Sequence, residues 1–481
     1  MSQPDPGPDG GPVAEGSGGY LLSSTPVTSL DLYEASGGRD GLWAALDRDP
    51  ADVVEEVARA RLRGRGGAGF PTGVKWRSIV QAGVDADCPV YLVCNGAEGE
   101  PGTYKDRSLI THNPYQLLEG ILIALHAMGG EAAFIGIKAR FTDERERLAD
   151  AMAEMRAADW EGIDRVQVVV GPDEYLFGEE KAMLEVIEGK LPLPRILPPF
   201  MTGLFATMER PNPTAANNVE TLSHVPHILA KGADWFRARG TEESPGTMLF
   251  TVIGDVARPG VYELAMGTSL RTLVIDVAGA TDIKAIYSGV SNAVILPDVL
   301  DLPMDFESFR DAGTGLGSGG FIVYDSSHCM VKVAATMAQF LAIESCGQCL
   351  ACKLGTTEIA ARLTSIDRGQ GTSTDIEQVR RRSTSVTDLA RCGLPVGAQV
   401  LAATVEVFAE EFADHLGRPC TSTAPAVVPK IEHMQIGTGA VTLDRAYYRK
   451  RDDWSYAPEG ERGTDSVLTV MDSHAPADRP D

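Results

Sequence analysis

The chain has 481 residues, 43% of them hydrophobic, so it can bury a sizeable core and, at roughly 150 residues per domain, should divide into about three domains. Its 43 Lys and Arg stand against 67 Asp and Glu, a formal charge of −24, which argues against a nucleic-acid footprint or a basic membrane anchor. No apolar run is long enough to cross a bilayer and the first residues lack the basic and apolar segments of a secretory signal. The expectation is a cytoplasmic protein without direct membrane insertion.

Residues 1–40, richest in Pro, Gly and Ser before about residue 25, read as a flexible tail. From Leu42 to Arg63, Val53, Val54, Val57 and Leu62 recur at near-helical spacing among Glu and Arg, which predicts an amphipathic helix. Further on, the apolar runs Pro89–Cys94, Ala133–Ile137 and Val166–Val170 alternate with helical patterns at Tyr115–Met128 and Thr142–Met155. Short buried strands alternating with helices predict an α/β domain over 41–240, with a parallel sheet covered on both faces. After a Gly/Pro/Glu break at Thr241–Gly246, short strands around one helix near Leu270–Ala278 predict a small α+β module over 246–327. Residues 328–418 are helical in pattern, and 419–481 mix Pro, Gly, charge and isolated aromatics without an assignable fold.

Three loops of the α/β domain are candidates for ligand binding. Arg63-Gly64-Arg65-Gly66-Gly67-Ala68-Gly69-Phe70-Pro71-Thr72-Gly73-Val74-Lys75-Trp76 meets no standard nucleotide motif, but consecutive glycines let backbone N–H groups approach a phosphate or a flat ring, and Lys75 adds charge. Asn95-Gly-Ala-Glu98-Gly-Glu100 follows a strand and so lies at the carboxyl edge of the sheet, where such folds bind ligands. Tyr175-Leu-Phe-Gly178-Glu179-Glu180 again follows a strand. Pro213-Thr214-Ala-Ala-Asn217-Asn218-Val-Glu220-Thr221 offers either a phosphate anchor or a helix cap. His224 and His227 have no visible third ligand, and no hydrolytic arrangement can be placed.

The eight cysteines carry the strongest signal. Cys346-Gly-Gln-Cys349-Leu-Ala-Cys352 groups three thiols in one run, and Cys392 can return as a fourth. This pattern favours a 4Fe-4S cluster, with a four-thiolate zinc site as the competing reading. Cys88 and Cys94 read as core residues beside a strand. Cys329 and Cys420 flank the cluster segment without ligand spacing and read as structural or free.

The motifs RGRGGAGFPTGVKW, NGAEGEPGTYKDR, FGEE, NNVET and ESCGQCLACKLG, in this order, resemble the NADH-binding flavoprotein subunit of respiratory complex I and its relatives in NAD-linked hydrogenases and formate dehydrogenases. The resemblance implies a Rossmann-like FMN domain, a ubiquitin-like SLBB module and a helical 4Fe-4S domain. It also implies hydride transfer from NADH to FMN, then single electrons through the cluster to a partner and ultimately quinone. By motif it assigns Gly64, Arg65, Gly66, Gly67, Phe70, Gly73, Lys75, Asn95, Glu98, Glu100, Tyr175, Gly178, Glu179, Glu180, Asn217, Asn218 and Thr221 to the cofactor pocket, with Glu98 and Glu100 at the chemistry. Cys346, Cys349, Cys352 and Cys392 become the cluster ligands. The expected partners are a small thioredoxin-like 2Fe-2S subunit and a larger iron-sulfur subunit, the chain being peripheral to a membrane complex.

Four positions depart from the family pattern: Ala97 replaces a carboxylate of the acidic loop, Ser78 an aromatic, Lys181 a threonine and Leu197 a lysine. They motivate the alternatives of an electron relay without NADH oxidation, or the diaphorase subunit of a hydrogenase or formate dehydrogenase.

Overall fold

The computed structural model describes residues 19–23 and 25–459. Strands β1 (Tyr91–Gly96), β2 (Ala133–Lys138), β3 (Val166–Gly171) and β4 (Thr214–Asn218) form a parallel sheet in the order β3-β2-β1-β4. Chain direction across the sheet therefore reverses between β1 and β4, and that switch point places a crevice beyond their carboxyl ends. Asn95 pairs with Asn218 and Cys94 with Asn217 across it. β2 is buried along its whole length, as expected of an inner strand covered on both faces.

The sheet is covered by helices whose limits follow local chemistry. Asn113 caps the helix Pro114–Met128 by accepting from the Gln116 N–H, Pro114 occupies its first turn, and Gly129 ends it at φ +61. This helix is buried nearly all round and crosses the helix Val219–Lys231 at Gly120, where a Cβ would stand 2.0 Å from the Leu222 carbonyl oxygen. Pro226 has no N–H to offer that carbonyl, so the second helix opens where the first comes closest.

The single helix predicted over Leu42–Arg63 is in fact two, Asp40–Leu46 and Pro50–Arg59, because Pro50 starts a new helix after Asp49. The predicted tail also contracts. Part of it lies outside the described residues, but Leu30–Ala35 is helical and the N–H groups of Tyr20, Leu21 and Leu22 all donate to the buried Glu263 carboxylate. Thr214–Asn218 is a strand as well as the cap of the following helix: built of small and polar residues, it carries no β-branched residue beyond Thr214.

A second four-stranded sheet follows, β5 (Thr247–Gly254), β6 (Gly260–Ala265), β7 (Ala285–Ser288) and β8 (Gly320–Tyr324), in the order β6-β5-β8-β7 with β5 and β8 parallel and both outer pairs antiparallel. It has its own core, built on Phe250, Val252, Leu273, Phe309 and Phe321. Four helices, Met330–Glu344, Leu350–Asp367, Ser373–Ser383 and Leu394–Ala402, then pack together. No helix among the described residues is long and apolar enough to cross a membrane.

The segment after Leu416 is folded as far as residue 459, and residues 460–481 lie outside the described residues. Its hairpin, β9 (Ile431–Met434) and β10 (Val441–Leu443), lies against the acidic loop: Gly102 N–H donates to Pro429 O at 2.8 Å and Arg107 Nη1 to Glu432 O at 2.9 Å. Lys430, Arg140, Asp173 and Asp444 form one charge network beside it. Further along, Lys450 Nζ reaches the Glu344 carboxylate at 2.7 Å with both side chains essentially sealed from water, and Tyr447 OH adds a bond at 2.9 Å. Lys450→Ala would leave a buried carboxylate without its counter-ion and is expected to cost about 3–5 kcal/mol. A lowered denaturation midpoint, with faster proteolysis after residue 428, would register this loss; an unchanged midpoint would refute it.

Candidate functional site

The glycine loop closes on itself through Gly64 N–H to Phe70 O at 2.9 Å and Thr72 N–H to Leu62 O at 2.8 Å. It is pinned to the switch point by three bonds. Arg65 N–H donates to Thr221 Oγ1 at 2.8 Å, Trp76 Nε1 to Asn217 Oδ1 at 2.9 Å, and Lys75 Nζ to Ala216 O at 2.8 Å. A Cβ at Gly66 would come within 3.1 Å of the Asn218 side chain. Gly67, at φ +133, faces open space. Gly73 lies instead against the backbone of Ala58, where a Cβ would be 2.5 Å from Cα. It is a close helix-packing position that admits no side chain. Phe70 is half exposed at the rim.

The acidic loop is held from three sides. Asn95 Nδ2 donates to Gly178 O at 2.7 Å, joining it to the Tyr175–Gly178 turn. Glu98 is half-buried at the start of the helix Lys105–His112 and accepts from the N–H groups of Asp106 and Arg107. Burial and the neighbouring Asp106 raise its carboxyl above the usual range, against Lys105. Glu100 accepts from Tyr175 OH at 2.5 Å, Val290 N–H at 2.7 Å and Ser291 Oγ at 3.0 Å, which ties the loop to the second sheet's domain. Both carboxylates are thus engaged with protein donors. Ala97, in the position of the family's carboxylate, is buried with its carbonyl against Gly178.

Sequence reasoning gave no role to Lys105. It is fully buried, with Nζ 2.7 Å from Asp106 Oδ1, 2.9 Å from Glu220 Oε2 and 3.1 Å from Asn218 Oδ1. Asn218 Nδ2 in turn donates to Asp106 Oδ2 at 2.6 Å. The only available signal was a Lys-Asp-Arg run directly after a loop of carboxylates. His224 is buried and His227 half-buried, bonded to Gln116; Tyr20 OH lies 2.6 Å from His224 Nδ1.

Glu179 caps the helix Glu180–Ile187 through the N–H groups of Lys181 and Ala182, and burial pushes its carboxyl up to about 7. Glu180 lies 4.0 Å from Lys75 Nζ, so the third loop meets the first. Of the other departures, Ser78 is exposed and bonds the Val74 carbonyl, Lys181 reaches the Arg391 carbonyl, and Leu197 is exposed.

Cys346, Cys349, Cys352 and Cys392 line one pocket, walled by Leu176, Pro194, Ala390, Leu394 and Pro395. Gly347, at φ +80 with open space beside it, makes the turn between the first two thiols, and Cys349 leads into the helix Leu350–Asp367. Burial raises the thiols of Cys346 and Cys352 and pushes Cys392 up to about 12. Four cysteines converging on one apolar pocket are a ligand set that fits an iron-sulfur group. Leu176 belongs to the turn that also carries Gly178, so one short segment borders both the switch point and the thiols.

Two family models match the chain: the Nuo51 FMN-binding domain over residues 57–227 and the NADH-ubiquinone oxidoreductase-F iron-sulfur binding region over 332–415. The NADH-quinone oxidoreductase F 2 subunit of Rhizobium meliloti (strain 1021) is 41% identical over 80% of this chain and 94% of its own length. The corresponding F subunit of Streptomyces coelicolor is 38% identical over 82% and 89%. The NADP-reducing hydrogenase subunit HndC of Solidesulfovibrio fructosivorans is 35% identical over 81% of each. Among solved structures, an NAD+-reducing [NiFe]-hydrogenase in the H2-reduced state superposes with a TM-score of 0.71 at 32% identity, covering 82% of this chain and 66% of that one. With its FMN-binding domain followed by a 4Fe-4S region, the chain belongs to the F-subunit family of NADH-quinone oxidoreductases, which includes relatives in NAD-linked hydrogenases.

Proposed function

We propose that the crevice between β1 and β4 receives NADH beside FMN and that electrons leave through the four-cysteine pocket to a partner subunit. The observation that carries this reading is the convergence of three loops on the sheet's switch point, with the Tyr175–Glu180 loop continuing into the wall of the thiol pocket. The glycine loop fits a flavin because Gly66 and Gly67 leave an uncovered backbone face next to Asn218. When bound, FMN supplies two-electron acceptance and one-electron release, and the 4Fe-4S cluster supplies a one-electron carrier.

The chain's own residues do the positioning. Gly64, Arg65, Gly66 and Gly67 offer backbone to the flavin, with Lys75 supplying positive charge. Asn217 and Thr221 hold that loop through their bonds to Trp76 and Arg65, and Asn218, beside Gly66, is itself held by Lys105. Asn95, Glu98 and Glu100 border the opposite side and keep the acidic loop closed. Phe70 and Glu180 form the rim, and Tyr175 and Gly178 tie it to the acidic loop. Glu179, titrating near neutrality, can hold a proton at its carboxylate close to Cys392. Cys346, Cys349, Cys352 and Cys392 ligate the cluster.

The β6-β5-β8-β7 sheet with its covering helix is the SLBB module of this reading, and Ser291 and Val290 are its contact with the acidic loop. Exposed Leu350, Leu354, Leu389 and Val396 surround the cluster loops and suit a docked iron-sulfur partner, of the small 2Fe-2S kind or larger. The similarity to HndC and to the hydrogenase structure favours a second reading, in which the same site runs toward NAD+ reduction on a hydrogenase partner.

Anaerobic titration of the loaded chain with NADH decides between enzyme and relay. Flavin bleaching followed by the EPR signal of a reduced cluster is expected, and Cys392→Ser should retain the first and lose the second. A cluster-loaded chain with no NADH-dependent bleaching would overturn the reading. Separately, Gly67→Val places a β-branched residue at φ +133 in the open face and is expected to weaken flavin retention about tenfold or more, on a strain of order 1–3 kcal/mol, with iron content unchanged.

A further inference from the structure

Three side chains outside the cluster pocket converge where sequence spacing gave no hint of it. Cys329, His415 and Cys420 place one Sγ, one Nε2 and one Sγ all within 4.8 Å of one another, with Cys329 Sγ 3.3 Å from His415 Nε2. Cys329 is buried, and His415 and Cys420 are half-buried, so the group is enclosed but reachable. Cys329 and Cys420 are free thiols rather than a disulfide.

The surroundings orient the imidazole. His415 Nδ1 lies 2.7 Å from the Glu411 carbonyl oxygen, which can only accept, so Nδ1 carries a proton and Nε2 is the nitrogen turned to the thiols. A metal-bound histidine is commonly fixed in this way by its second nitrogen. The sulfurs are positioned too. Lys332 N–H approaches Cys329 Sγ at 3.5 Å from the first turn of the helix Met330–Glu344, and Cys420 N–H donates to Asp367 O at 3.1 Å. The Glu411 side chain caps the same helix at Met330 N–H, 2.9 Å away, and pairs with Lys284 at 3.0 Å.

We infer that Cys329, His415 and Cys420 form a site for a thiolate-seeking divalent cation, zinc, with water completing the coordination. Tetrahedral zinc with Zn–S of about 2.3 Å and Zn–N of about 2.0 Å separates its ligand atoms by roughly 3.4–3.8 Å, a spacing the observed set meets with small side-chain adjustments. Two thiolates and one neutral imidazole balance the charge of Zn2+, and soft sulfur with imidazole selects zinc over magnesium or calcium. A disulfide would use the sulfurs alone and give the oriented Nε2 nothing to do. The site would join the start of the helix Met330–Glu344, the end of the helix Ala409–Asp414 and the start of the C-terminal segment, which farther on grips the other end of the first helix at Glu344. This inference does not rest on the proposed electron-transfer role.

The test is metal counting on the full chain, purified under reductant after growth with Zn2+. One zinc per chain is expected in addition to the cluster iron. His415→Ala and Cys420→Ser should each lose the zinc and keep the iron, whereas Cys392→Ser should lose iron and keep zinc. Zinc K-edge absorption of the unmodified protein supplies a readout independent of whether the variants fold: two sulfurs and one nitrogen are expected. A zinc-free protein, zinc surrounded by four sulfurs, zinc that disappears only with Cys392, or a Cys329–Cys420 disulfide in the freshly isolated chain would each overturn the inference.

Discussion

A single buried carboxylate, Glu344, joins the parts of this molecule on which its chemistry depends. It ends the helix Met330–Glu344, two residues before the first cluster cysteine, and accepts from Tyr175 N–H at 3.0 Å, Tyr447 OH at 2.9 Å and Lys450 Nζ at 2.7 Å. Burial by itself would raise its carboxyl; Lys450 and Lys430 hold it below the usual range. Those three donors come from the loop that borders the switch point and from the C-terminal segment. A displaced Glu344 would therefore disturb the thiol run, the Tyr175 turn and the segment covering the acidic loop together, because a charge without partners in that interior is far costlier than a lost neutral contact.

The same economy appears around Tyr175. Its N–H is committed to Glu344, its hydroxyl to Glu100, and its ring edge packs on Phe340 with centroids 5.2 Å apart. Three residues on, the Gly178 carbonyl accepts from Asn95. The turn is held at both ends, so the flavin-type pocket and the thiol pocket keep one spacing. At no more than about 3.6 Å per residue, the two residues from Leu176 to Gly178 span under about 8 Å. Fixed separation along so short a segment is what an electron relay needs, and it comes here from hydrogen bonds between domains laid over a hydrophobic core that runs on from the α/β domain into the helical one.

Much of this was legible in the sequence wherever a local pattern carried the signal. The run at Ala133–Ile137 became β2 because a buried parallel strand needs continuous apolar faces, and the β-branched run at Val166–Val170 became β3, the partly exposed edge strand beside it. The Cys346–Cys352 run converged because a turn and a helix start bring such spacing together. What stayed hidden was long-range. Lys105 looks like any surface lysine until Asp106, Glu220 and Asn218 enclose it, and β4 shows no long apolar run because its polar asparagines and a carbonyl bond the glycine loop segment and Lys105. The residues after Leu416 pack through isolated anchors, Lys430, Tyr447, Lys450 and Trp454, which have no period to read. Cys329 and His415 are 86 positions apart, and no spacing rule covers that.

The charge of −24 takes on a different meaning once burial is known. Cations are concentrated inside, near the carboxyl end of the parallel sheet: Arg65, Lys105 and Lys138 are all essentially inaccessible. Lys105 is neutralised by Asp106 and Glu220, and burial lowers Lys138 to about 8 against the pull of Asp173. The Arg65 guanidinium donates to the carbonyls of Thr247 and Pro245. Little of their field is left to steer an anion from a distance through an acidic exterior. A phosphate-bearing ligand must therefore be held at contact range, by the exposed amides of the glycine loop and by Lys75, where low dielectric makes a few oriented dipoles count. That demand explains why the loop is fastened so closely to Asn217 and Thr221: donors that replace a global field have to be in place before the ligand arrives.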